Sequence, residues 1–130
     1  MKSLNQRAVE VLKLLLQSTQ PVIAQTINGA REVEAKMLHK IGRYRIMSLT
    51  FYKDEDGYRF REPEITIIHD MQSDEYTPSG ILYELERINS ASASFFYSQL
   101  TVWNDQIQAD HAEYSNRLLE SIAVQCGIEV

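Results

Sequence analysis

Residues 43–70 read RYRIMSLTFYKDEDGYRFREPEITIIHD, and they decide the fold. Arg43 to Lys53 and Tyr58 to Asp70 are rich in β-branched and aromatic residues, which suit a pleated, half-buried surface. Between them Asp54 to Gly57 (DEDG) supplies turn chemistry, so the two runs predict an antiparallel pair. Within the second run Ile65, Ile67 and His69 fall on one face, and Thr66, Ile68 and Asp70 on the other. Pro63 cannot donate to a ladder and predicts a strand start, an edge or a bulge.

Upstream, Gly42 predicts a tight reversal. Before it a return strand alternates through Val33, Ala35 and Met37, and Asn28-Gly29 predicts the turn from a short strand over Val22 to Ile27. Residues 4–18 carry Leu4, Ala8, Val11, Leu12 and Leu15 at helical spacing, with Ser3 as cap and Pro21 as stop.

Downstream, Gln72 to Gly80 reads as a polar loop. ILYELERI (81–88) fits either a helix through Ile81, Leu82, Leu85 and Ile88 or a strand through Ile81, Tyr83 and Leu85; it is assigned to strand. Asn89 to Ser94 reads as a turn and Phe95 to Trp103 as the last strand. A final helix runs from Gln108 to Cys126, with Asp110 and Glu113 as a capping box, Leu118, Leu119, Ile122, Ala123 and Cys126 as the buried stripe, and Gly127 at its end. The expectation is one α+β domain over residues 1–130: an antiparallel meander of five or six strands with both helices on the same face, because each helix has a single apolar stripe to bury. The expected core holds Leu12, Leu15, Ile46 or Met47, Ile67, Leu118 and Ile122.

Composition bounds the function. At 130 residues with 44% hydrophobic and 24% charged residues, the chain can bury a core without staples. Its single cysteine, Cys126, excludes an intramolecular disulfide and a cysteine-rich zinc site, and reads as a small buried hydrophobe. Arg7, Glu10 and Lys13 interrupt the apolar start, so no signal peptide or membrane span is expected, and a cytoplasmic location follows by default. The net charge of −5 is bipolar: residues 1–61 hold eleven Lys/Arg against six Asp/Glu, and residues 62–130 hold two against twelve.

No motif assembles a reaction. His39, His69 and His111 lie on different predicted elements and none are spaced i, i+4, so no metal and no cofactor is expected. His69-Asp70 ends a strand rather than joining the helical ligand set of metal phosphohydrolases. There is no nucleophile elbow and no phosphate-binding glycine loop. The pairs Glu62/Glu64 and Glu84/Glu86 read as solvated strand faces. Arg31, Lys36, Lys40, Arg43, Arg45, Lys53, Arg59 and Arg61, interleaved with Tyr44, Phe51, Tyr52, Tyr58 and Phe60, are the composition of a stacking platform for nucleic acid.

The stretch SLTFYKDEDGYRFREPEITI resembles a family of small uncharacterised bacterial proteins carried on plasmids and integrated mobile elements, marked by H-Y-Y-x-Q-N-G-D-x-x-x-D-P-E-M. Phe51, Tyr52, Gly57 and Pro63-Glu64-Ile65 occupy matching places; Thr50, Glu55-Asp56 and Glu62 depart from it. A second uncharacterised proteobacterial family is similar in its strand ending like Ile67-Ile68-His69-Asp70 and in a helix after a segment like Gln108-Ala109-Asp110. The resemblance implies a helix–sheet–helix fold and an accessory origin, and it assigns no catalytic residue. The leading expectation is therefore a non-enzymatic protein that binds a protein partner or a second copy of itself, through a surface of Arg43, Arg45, Lys53, Arg59, Arg61, Tyr52 and Tyr58. The alternatives are a nucleic-acid module using strands 31–61, and an enzyme or small-molecule binder with a composite site near His69, Asp70 and His111.

Overall fold

The computed structural model describes residues 1–18, 20, 22–26, 29–96 and 99–125. Helix α1 (Gln6–Gln17) leads into strands β1 (Val22–Thr26), β2 (Gly29–Ile41), β3 (Tyr44–Glu55), β4 (Tyr58–Asp70), β5 (Glu75–Tyr83) and β6 (Ile88–Ala91). A separate hairpin, β7 (Ala93–Phe96) and β8 (Gln99–Val102), precedes helix α2 (Asp105–Gln125). The first six strands form one antiparallel sheet in chain order.

Local chemistry sets the turns. Asp56 and Gly57 both have positive φ, at 53° and 81°, between the paired residues Glu55 and Tyr58. That is the backbone an Asp-Gly reversal provides and one that bulky residues resist. Gly42, at φ 56°, does the same between Ile41 and Tyr44. Thr26 pairs with Gly29, while Asn28 lies outside the described residues. Pro63 sits at a bulge: Glu62 and Pro63 together oppose Phe51, because Thr50 pairs with Glu64 and Tyr52 with Arg61.

Both helices pack on one face of the sheet. Ala8, Val11, Leu12 and Leu15 of α1 and Leu119, Ile122 and Ala123 of α2 share a single core with Val33, Met47, Leu49, Phe51, Ile65, Ile67 and Ile81. The helices run side by side in the same direction, since Lys2 bonds Gln108, Asn5 bonds Asn116 and Arg7 reaches Glu120. On the other face a second, small cluster forms where Tyr44, Ile46 and Ile68 meet Phe95 and Leu100 of the β7–β8 hairpin. The hairpin thus covers one end of that face and leaves the other end bare.

Several expectations need correction. The segment 75–80 is strand, not loop: Tyr76, Thr77, Pro78 and Ser79 are buried despite their polar composition. The strand assignment of 81–88 holds only to Tyr83, because 84–87 is a turn and Ile88 opens β6. Asn89 to Ala91 is strand, and the single strand over 95–103 is instead a hairpin. Asn5, not Ser3, caps α1, accepting from the Ala8 N–H at 2.9 Å. Asn104 caps α2 by accepting from the Ile107 N–H at 3.0 Å, so that helix begins before Asp110 and the Asp110/Glu113 box lies inside it. Leu119 is fully buried while Leu118 is half-buried, and Met37 is 44% exposed. Cys126 and Gly127 lie outside the described residues.

Candidate interaction surface

The anticipated basic surface does not form one face. In β3 and β4 alternate residues point to opposite sides. Tyr52, Arg59 and Arg61 lie on the bare face, Arg45 and Lys53 on the helix side, and Arg43 in the β2–β3 turn. Tyr58 is 70% exposed at the β3–β4 turn and meets Phe60 at 6.4 Å, away from Tyr52. Two of the aromatics expected to stack bases are core residues: Phe51 is buried under the helices and Tyr44 packs on Phe95 at 5.3 Å.

Each basic residue of that set is also engaged. Arg59 bonds Glu32 at 2.8 Å and Asp54 at 3.0 Å while lying 4.9 Å above the Tyr52 ring. Its guanidinium holds the Asp54 carboxyl below the ordinary carboxylate range. Arg61 bonds Glu84 at 2.8 Å, which lowers the Glu84 pKa, and approaches Glu64 at 3.4 Å. Arg43 pairs with Asp70 at 2.8 Å, and Lys53 with Glu55 at 3.8 Å. Arg45 donates to His69 Nδ1 from Nε and Nη2, at 3.1 and 2.7 Å.

What the bare face presents is a mixed-charge lattice. Glu32, Glu34 and Lys36 of β2, Thr50, Tyr52 and Asp54 of β3, and Arg59, Arg61 and Glu64 of β4 run across it. A shallow groove of about 330 Å³ at its β1 end is lined by Ile23, Arg31, Glu32, Tyr52, Asp54 and Arg59. Ile23 is 59% exposed there. Arg31 reaches from this groove to the Glu62 carbonyl. A second groove of about 300 Å³, near Glu64, Thr66, Gly80, Leu82 and Asn89, lies between β4 and β6.

The histidines are dispersed. His69 is buried, stacked on Tyr76 at 3.9 Å with the rings 7° apart. Because Arg45 donates to Nδ1, Nε2 carries the proton and donates to Asp74 at 2.7 Å, lowering the Asp74 pKa. His69 therefore bonds Asp74, whereas Asp70 holds Arg43. His111 sits on α2 between β6 and the hairpin. Ser92 gives its hydroxyl proton to the Ser79 carbonyl at 3.3 Å, so it accepts from His111 Nδ1 at 3.2 Å. Nε2 then accepts from Ser90 at 2.9 Å. Burial keeps the His111 pKa below its ordinary value and the ring neutral. His39 is exposed on β2. Among the described residues no three His, Cys, Asp or Glu side chains gather as metal ligands, and no helix is long and apolar enough to cross a membrane.

The side chains of the His69/Asp70/His111 composite accordingly have three separate sets of partners. Sequence reasoning missed Ser90, Ser92 and Gln108. Gln108 is fully buried and bonds the Lys2 backbone and the Pro78 carbonyl. The only signal for it was a glutamine on the apolar side of a helix. No known protein family, curated protein or solved structure matches this chain.

Proposed function

We propose that this is a non-enzymatic accessory protein, of the mobile-element type that its central motif resembles, and that it binds a protein partner through the bare face of its sheet. The observation that carries the reading is the Tyr52–Arg59 stack beside exposed Ile23. Arginine and tyrosine dominate binding energy at protein interfaces, and both lose less freedom on binding when already held in place. Glu32 and Asp54 hold this arginine, and a groove lies next to it. The pairing of Arg43 and Arg61 with carboxylates supports a protein partner over nucleic acid, since a phosphate would have to displace bonded carboxylates from a molecule of net charge −5.

A photo-crosslinking amino acid at position 23, used in the native host, tests this. The expected product is a nuclease-resistant protein adduct that weakens on Arg59→Ala. An adduct that nuclease removes would make the nucleic-acid module the better reading.

A further inference from the structure

The long β2 strand is paired on both sides for only part of its length. On one side β3 covers it from Val33 to Ile41. On the other, β1 covers only Gly29 to Val33. From Glu34 to Ile41 the backbone groups that point away from β3 have no strand partner among the described residues. Lys36, Met37, Leu38, His39 and Lys40 are all exposed, with Leu38 at 49%. Such an edge is a template for an added strand: its unpaired N–H and C=O groups supply affinity, and the side chains supply selectivity.

We propose that this edge takes an extended, acidic segment of a protein partner as an added antiparallel strand. The inference rests on the protein-binding reading above and names the edge and the chemistry of the partner. The edge's one carboxylate, Glu34, is balanced by Lys36 at 2.8 Å, and Lys40 has no carboxylate partner among the described residues, so the edge carries a net positive charge. Asp or Glu side chains set across from Lys36 and Lys40, with an apolar residue across from Met37, complete the cross-strand pairs.

A second copy fits worse. Antiparallel self-pairing centred on Leu38 sets Lys36 against Lys40. Centred between Met37 and Leu38, it sets Lys36 against His39. Only a pairing centred on Met37 brings Glu34 to Lys40, and that glutamate is occupied. The register shift between Met37 and His39 also bends the strand, which disfavours flat edge-to-edge pairing of copies.

The test is a titration of isotope-labelled full-length protein with a synthetic decapeptide alternating Glu and Val, and with its Lys/Val counterpart. Amide shifts and hydrogen exchange are followed residue by residue. The Glu/Val peptide is expected to protect amides within 34–41, the Lys/Val peptide to leave them unchanged, and Lys36→Glu/Lys40→Glu to weaken binding by about tenfold. Lys36→Gln/Lys40→Gln serves if the charge reversal disturbs the fold. Absence of protection at 34–41, or equal binding by the variants, overturns the proposal. Protection confined to residues around Tyr52 and Arg59 overturns it too, while leaving the protein-binding reading in place.

Discussion

His111 is buried with both ring nitrogens bonded to serines, so protonating it would bury a charge and turn the Ser90 hydroxyl from donor to acceptor. Its pKa is therefore lower in the folded chain than in the unfolded one. A depressed folded pKa means that the unfolded chain binds the proton first. The contribution to stability is fully present above the unfolded value, near 6.5, and is lost as pH falls toward the folded value. The melting temperature is expected to decline between about pH 7 and pH 5, and His111→Gln to flatten that slope. Asp54, Asp74 and Glu84 have pKa values lowered by hydrogen bonds from Arg59, His69 and Arg61. Their contribution is present above about pH 4 and fades only below it, so the two windows separate. A slope unchanged by His111→Gln would contradict the tautomer and burial assigned here. The histidine was visible in the sequence as an isolated residue on a helix. Its serines were not, because Ser90 and Ser92 lie in a run, NSASAS, whose composition is that of a loop.

Elements were legible where the backbone needed a particular residue type. The Asp56-Gly57 reversal is the clearest case, because both residues take positive φ. Gly57→Val is expected to lower stability by about 1 kcal/mol or more in a denaturant titration, since a β-branched residue resists that backbone. An unchanged midpoint would contradict the turn. Strand β5 was illegible for the opposite reason. Its residues look like a loop, yet Gln108 bonds the Pro78 carbonyl and Ser79 bonds the Thr66 carbonyl, so long-range partners let polar residues be buried. Of the α2 stripe expected from sequence, Leu119, Ile122 and Ala123 are buried, while Leu118, also expected in the core, is only half-buried. Leu119→Ala is expected to cost about 2–5 kcal/mol and Leu118→Ala clearly less, because only Leu119 sits in a closed core. Equal losses at the two positions would mean that the helix is rotated from the orientation seen.

At the scale of the whole molecule, the bipolar charge of the chain is folded back on itself. Arg7 meets Glu120, Arg43 meets Asp70, and Arg61 meets Glu64 and Glu84, each a cation of the first half against a carboxylate of the second. These pairs are exposed enough that each contributes roughly 0–1 kcal/mol. Their larger consequence is that the basic strands offer no uninterrupted positive field. The basic and aromatic composition of residues 31–61 was plain in the sequence; that carboxylates would sit among its arginines depended on strand register, which sequence does not specify across long separations. A titration at low salt with short single- and double-stranded DNA and RNA tests this neutralisation. The predicted result is no saturable binding at micromolar protein. Micromolar binding that weakens steeply toward physiological salt and disappears in Arg43→Glu/Arg45→Glu would contradict it.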